Sequence, residues 1–186
     1  MNYSAMTLAE YAKAIHLTAK QHGWHEEKKS DELWLCLVMT EIAEAVEADR
    51  KGRWADSDAF KVELREININ DDEEFKCAYG KIIKGSVEEE LADIVIRLLD
   101  FAYEKYGDSM EWERYYSQPP RLTKPFPENA WKLVKFKLWH TPYEILESVA
   151  YVYGMAKQKH IDLDQHILWK MRYNDCRDWK HGGKAY

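Results

Sequence analysis

The stretch S-V-E-E-E-L-A-D-I-V-I-R-L-L-D-F-A-Y-E-K-Y-G, residues 86–107, decides the fold class. Its apolar residues recur at helical spacing and cover most of the circumference, and a helix that is apolar nearly all round is buried. Ser86, with Glu89 three residues later, predicts a capping box at the start, and Gly107 predicts the end. A narrow polar stripe remains and must face something inside a helical bundle; it consists of Glu89, Glu90, Asp93, Arg97, Asp100 and Glu104.

Start and stop signals elsewhere predict four more helices, over about 8–22, 32–50, 142–159 and 163–178. Their predicted caps are Thr7 with Glu10, Ser30 or Asp31, Thr141 with Glu144, and Asp162. Prolines exclude one continuous helix over 108–127, and residues 129–140 are expected to form a further helix. The sequence therefore predicts a single all-α domain over 1–186, a helical bundle with inserts at about 54–85 and 108–140.

Composition argues against several classes of protein. The 186 residues include 27 Lys and Arg against 33 Asp and Glu, a net charge of −6, which disfavours non-specific binding to nucleic acid. No apolar run reaches the roughly 18 residues that a membrane span needs, and residues 1–20 lack a signal-peptide pattern. The three cysteines are scattered without CxxC spacing, which predicts reduced structural thiols in a cytoplasmic protein.

The second predicted helix has a carboxylate in the middle of its apolar stripe. At about 100° per residue, Glu41 lies among Trp34, Leu37, Ala45 and Ala48, and Glu44 follows one turn on and to the side. A lone buried carboxylate is costly unless a positive charge meets it.

The central helix also carries inward acids three residues apart, Glu90 and Asp93. Acids from two helices form a set of hard oxygen ligands that suits Mg²⁺ or Mn²⁺. The ordinary alternative is that acids at this spacing mark a solvated face. Residues 88–90 would then offset the helix macrodipole, and Arg97 would pair with Asp93, four residues before it.

Other candidate side chains lie near the C-terminus and around the second helix. Lys170, Asn174 and Arg177 share one face of the last helix and are candidates for binding phosphate, although basic residues there also offset the macrodipole. Trp24 and Trp34 are candidates for stacking on a base, and the competing explanation is that they belong to the core. The histidines form no metal-binding spacing; those considered are His22, His25, His140, His160 and His166.

These motifs resemble those of the MazG-like, all-α nucleoside triphosphate pyrophosphohydrolases, which carry ExxE on one helix and ExxD on the next. The chain has Glu41-Ile-Ala-Glu44 and Glu90-Leu-Ala-Asp93, and residues 170–182 are similar to the C-terminal segment of one branch of that family. The resemblance covers about 8–53, 80–107 and 161–186, roughly half of the chain. The 45 residues between Glu44 and Glu90 are more than a short interhelical link needs, and the region 108–160 has no counterpart in the minimal family fold.

The resemblance implies Mg²⁺-dependent cleavage of a nucleoside or deoxynucleoside triphosphate to the monophosphate and pyrophosphate, in nucleotide-pool cleaning, by a homodimer or homotetramer. Glu41, Glu44, Glu90 and Asp93 would hold the metal. Glu41 or Glu44 would be the general base, Lys170, Asn174 and Arg177 would bind phosphate, and Trp24 or Trp34 would contact the base. Two alternatives stay open: the same chemistry on another nucleotide pyrophosphate such as phosphoribosyl-ATP, and a non-catalytic helical interaction protein.

Overall fold

The computed structural model describes residues 6–135 and 141–183, and within these ranges the regular secondary structure is entirely helical. A single turn of 3₁₀-helix at Gly107–Ser109 accompanies the α-helices. These are α1 (Leu8–Gln21), α2 (Asp31–Arg50), α3 (Ser57–Glu66), α4 (Asp72–Ile82), α5 (Val87–Tyr106), α6 (Trp112–Tyr115), α7 (Phe126–Lys135), α8 (Pro142–Gln158), α9 (Leu163–Asp175) and α10 (Lys180–Gly183). The predicted all-α class is confirmed.

Helix α5 is the axis of the bundle, and α1, α2, α8 and α9 pack around it. The side predicted to face the core is buried throughout, at Leu91, Val95, Leu98, Leu99 and Ala102. Because α5 is enclosed by other helices, most of its polar stripe is buried or half-buried between helices, as the sequence predicted, whereas Glu104 at its C-terminal end is exposed.

Two of the three predicted capping boxes are present, at Thr7 and at Thr141. At Ser86 only one of the two hydrogen bonds of a capping box is present, so the box predicted there is wrong. The Ser86 hydroxyl accepts from the Glu89 N–H at 3.2 Å, but the Ser86 N–H already donates to the carbonyl of Ile83 at 3.1 Å. The Glu89 carboxylate accepts from the Gly85 N–H instead.

The first predicted insert, 54–85, is a pair of helices, α3 and α4, joined by residues 67–71. The run Asn-Ile-Asn-Asp-Asp over 68–72 favours a loop, and its first four residues lie in this connection, whereas Asp72 begins α4. The pair packs against α9 around a small aromatic core of its own, in which Phe60 meets Phe75, Tyr79 and Trp169. The insert is thereby attached to α9, which carries two of the predicted phosphate-binding residues, Lys170 and Asn174, whereas Arg177 lies beyond the end of that helix.

The second predicted insert, 108–140, contains α6, an irregular stretch over 116–125, and α7. Helix α7 begins at Phe126 and not at the predicted 129, because Pro127 occupies the first turn, where its missing N–H costs no hydrogen bond. The predicted end of this helix, 136–140, lies outside the described residues.

The last long helix is shorter than predicted. It ends at Asp175 and not near 178, and an i to i−3 hydrogen bond from the Arg177 N–H to the Asn174 carbonyl tightens the chain there. Among the helices of residues 6–135 and 141–183, none combines the length and the apolar character needed to cross a membrane.

Candidate functional site

A cavity of about 730 Å³ lies among α1, α2, α5 and α9. It is lined by all nine residues singled out from the sequence: Trp24, Trp34, Glu41, Glu44, Glu90, Asp93, Lys170, Asn174 and Arg177. The wall also includes Lys84, Glu89 and Arg97, of which Lys84 lies just before α5. Residues far apart in the chain thus meet here because α2 and α9 pack on the same central helix.

Three carboxylates converge on one side of this cavity. Oxygen atoms of Glu41 on α2 and of Glu90 and Asp93 on α5 all lie within 4.8 Å of one another. Glu41 is 8% exposed, which confirms its predicted position in the apolar stripe, and Glu90 is 6% exposed. Glu44 lines the same cavity but is exposed and lies outside this three-carboxylate group.

The electrostatics of the group disfavour three full negative charges. Burial, together with the charges of Asp93 and Glu89, raises the pKa of Glu90 to about 9. Burial also raises the pKa of Asp93, Glu41 and Glu89 add to that effect, and Lys170 opposes it. A cation placed among these oxygens would offset the repulsion between the carboxylates and would favour their ionised forms.

Lys170 is the cation that the structure brings closest to these acids. Its Nζ lies 2.6 Å from Glu89 Oε1 and 2.6 Å from Asp93 Oδ2. Burial disfavours the ammonium, yet the two carboxylates raise its pKa above the ordinary value. The predicted role of Lys170 in holding phosphate stays a prediction, and in this structure its partners are carboxylates.

Arg97 supplies the positive charge that a buried Glu41 requires. Its Nε donates to Glu41 Oε1 at 3.1 Å. The interpretation that Arg97 pairs with Asp93 within α5 is therefore wrong, because the carboxylate on the neighbouring helix is its ion-pair partner.

The two tryptophans occupy different environments. Trp34 is 3% exposed and its ring packs against Phe101 and His25, with centroids 6.0 and 5.4 Å away. Trp24 is half-buried in the connection between α1 and α2. Trp34 is therefore largely a core residue with an edge on the cavity, and Trp24 offers more surface to a ligand.

Sequence reasoning missed two features of this region. Residues 88–90 were explained by the helix dipole, but Glu89 is 3% exposed and holds Lys170, while Glu88 is buried and accepts from the Ala55 N–H at 2.9 Å. A second polar cluster, built around His16 and His25, also escaped notice, because its members come from separate elements without a diagnostic spacing.

With this geometry in place, the chain was compared with known proteins. No match was found to a protein-family model, to a curated protein or to a solved structure. The resemblance carried by the ExxE and ExxD motifs is therefore a hypothesis.

Proposed function

We propose that the chain is a Mg²⁺-dependent pyrophosphohydrolase of the MazG-like all-α type. It would cleave a nucleoside or deoxynucleoside triphosphate to the monophosphate and pyrophosphate. The observation that carries this proposal is the convergence of Glu41, Glu90 and Asp93 at a cavity that basic side chains also line. Mn²⁺ is the alternative ion, because a set of carboxylate oxygens favours hard cations over zinc.

The size and charge of the cavity support a nucleotide as the ligand. Its volume of about 730 Å³ falls within the roughly 300–1,000 Å³ of small-molecule sites. Lys84, Asn174 and Arg177 place donors for phosphate oxygens on the wall, and Trp24 offers a ring for the base. Mg²⁺ is commonly held by a few carboxylates together with substrate phosphates, which matches a cavity lined by both acids and cations.

The chemistry requires a cation, a base and stabilisation of the leaving group. When bound, Mg²⁺ neutralises phosphate charge and lowers the pKa of a water molecule. The water oxygen forms a bond to phosphorus, the bond between the α- and β-phosphates breaks, and its electron pair leaves with pyrophosphate. Asn174 and Arg177 donate to the oxygens that gain charge.

Glu44 is the residue that we assign to take the proton from the water. Glu41 is engaged by Arg97, and Glu41, Glu90 and Asp93 form the compact group suited to the metal. Glu44 lines the cavity from outside that group. A carboxylate not fully used by the metal is the one available as general base.

Lys170 has a place in the same scheme. Its ammonium neutralises Asp93 and Glu89 before the cation arrives. Once Asp93 is a ligand to the cation, we expect Lys170 to keep Glu89 and to turn towards a phosphate oxygen. A role in nucleotide-pool cleaning and a homodimer or homotetramer complete the proposal by resemblance, and the cytoplasmic location is proposed from the scattered cysteines.

The test is a panel of nucleoside and deoxynucleoside triphosphates, with phosphoribosyl-ATP, assayed for pyrophosphate and monophosphate release with Mg²⁺ or Mn²⁺. We expect metal-dependent release of both products in equal amounts from at least one triphosphate. Asp93→Asn and Glu90→Gln should abolish it, since each removes a metal ligand. The matched control is Glu47→Gln on the solvent side of α2, where Glu47 pairs with Arg50 and Lys51, and it should keep wild-type activity.

Each alternative has its own outcome in this assay. Cleavage of phosphoribosyl-ATP alone would move the substrate to another nucleotide pyrophosphate. Absence of pyrophosphate release from every compound, with either metal, would refute the enzyme and favour the helical interaction protein.

A further inference from the structure

A second polar cluster lies at the other end of the α5 stripe and has no part in the proposed hydrolysis. His16 comes from α1, His25 from the connection to α2, and Asp100 and Glu104 from α5. The side chains of His16 and His25 are 6% and 5% exposed, and their ring centroids are 4.4 Å apart. Two buried imidazoles, the buried carboxylate of Asp100 and the exposed carboxylate of Glu104 are thus held together.

Asp100 fixes the orientation of both rings. His16 Nδ1 lies 2.9 Å from Asp100 Oδ1, and His25 Nε2 lies 3.0 and 3.2 Å from the two oxygens of the same carboxylate. Contacts of hydrogen-bond length from two ring nitrogens to one carboxylate are those of its ionised form. An ionised carboxylate only accepts hydrogen bonds, so those two ring nitrogens carry the protons.

The opposite ring nitrogens then present lone pairs in the neutral imidazoles. His25 Nδ1 lies 3.1 Å from Glu104 Oε2, and His16 Nε2 lies 3.7 Å from the same oxygen. The ligand atoms of these three residues all fall within 4.8 Å of one another. Three acceptors therefore converge on one small space, and a cation there satisfies all of them.

We propose that His16, His25 and Glu104 bind Zn²⁺ or a similar transition-metal ion, with Asp100 orienting both histidines. Bonds of about 2.0–2.1 Å in a tetrahedron place neighbouring ligand atoms about 3.3 Å apart, close to the 3.1 and 3.7 Å that separate Glu104 Oε2 from the two histidine nitrogens. A carboxylate behind a metal-binding imidazole is the usual outer support of such sites. Glu104 is 40% exposed, which leaves room for a water molecule as fourth ligand.

This site is separate from the proposed Mg²⁺ site. Asp93 and Asp100 are about 10 Å apart along the axis of α5, and Arg97 lies between them. The donor atoms also differ, because imidazole nitrogens favour zinc over magnesium. A metal here would connect three parts of the chain: α1, the segment with Trp24 and His25 that follows it, and α5.

The test uses Co²⁺ as a visible probe on the full-length protein, followed by displacement with Zn²⁺. We expect the absorption of tetrahedral Co²⁺, lost on adding Zn²⁺ and retained in excess Mg²⁺. His16→Gln and His25→Gln should lose the absorption, and Asp100→Asn should weaken Zn²⁺ binding roughly 10- to 100-fold. His160→Asn, at an exposed histidine with φ of 59°, is the control and should bind as wild type.

Glu90→Gln separates this proposal from the proposed function, because it should abolish hydrolysis and keep the Co²⁺ absorption. Absence of tetrahedral absorption in the wild type, or an unchanged band in His16→Gln, overturns the zinc site. Should the histidine variants fail to fold by circular dichroism, long-range ¹H–¹⁵N spectra of the wild type decide. Zn²⁺ must then change the ¹⁵N chemical shifts of the ring nitrogens of His16 and His25 and leave those of His160 unchanged. Unchanged resonances of His16 and His25 refute the proposal.

Discussion

Replacing Lys170 by methionine tests whether the buried ion pairs of α9 and α5 stabilise the fold. Lys170 and Glu89 are 6% and 3% exposed, so the substitution leaves the Glu89 and Asp93 carboxylates without their cation in a largely dry place. Breaking a buried pair by removing one partner costs roughly 3–5 kcal/mol. At about 2–4 °C per kcal/mol for a chain of this length, the melting temperature should fall by about 6–20 °C.

Mg²⁺ should restore part of this loss. The ion would supply positive charge to Asp93, one of the two acids that lose Lys170, and a ligand that binds only the folded state stabilises it by mass action. Scanning calorimetry with and without millimolar Mg²⁺ should therefore show a larger rise in melting temperature for Lys170→Met than for the wild type. Lys157→Met, at an exposed position near the end of α8, is the control and should match the wild type in both conditions.

An unchanged melting temperature in Lys170→Met would show that the ion pairs add no stability. A Mg²⁺ response equal to that of the wild type would contradict the idea that lysine and metal share Asp93.

Lys170→Met should also slow hydrolysis. Loss of a charge-assisted contact to phosphate should reduce transition-state stabilisation by about 2–4 kcal/mol, which lowers kcat/KM roughly 30- to 1,000-fold. Near-wild-type kcat/KM would remove Lys170 from phosphate binding and leave the role to Arg177 or Lys84.

The remaining predictions concern the general base and acid stability. Glu44→Gln should abolish hydrolysis while the Mg²⁺-induced rise in melting temperature persists, because Glu44 lies outside the three-carboxylate group; loss of that rise would make it a ligand. Burial lowers the pKa of His166 to about 4. Between about pH 6.5 and 4 the unfolded chain therefore binds a proton at this histidine that the folded chain does not. The free energy of unfolding should be at its full value above about pH 6.5 and should fall as the pH drops towards 4. Urea midpoints at pH 7 and 5 should therefore differ less in His166→Gln than in the wild type, and equal differences would refute this assignment.

The sequence predicted those features that follow from a single helix. The burial of Glu41 came from its position among apolar residues at helical spacing, and the buried face of α5 came from the same periodicity. Local hydrogen bonding likewise located the caps at Thr7 and Thr141. The geometry of a helix fixes which of its side chains share a face, whatever packs against it, so such features can be predicted from sequence spacing.

Pairing between helices was not predictable in the same way. Arg97 stands four residues after Asp93, a spacing that allows contact, but Glu41 on α2 is its ion-pair partner. Lys170 was assigned to phosphate because its helix face is basic, and the structure gives it two carboxylates of α5. Spacing states which groups can meet within a helix, whereas the choice among partners depends on which helices pack together.

The polar stripe of α5 has two halves with different ligand chemistry, and Arg97 lies between them. On the N-terminal side, Glu90 and Asp93 meet Glu41, so the converging donors are carboxylate oxygens, which favour hard divalent cations. On the C-terminal side, Glu104 meets two imidazoles, which favour zinc. Arg97 pairs with Glu41 and so supplies positive charge to the first half. Under the two proposals above, the stripe would hold two different cations, and exchanging the donor type in one half should change the metal preference of that half alone.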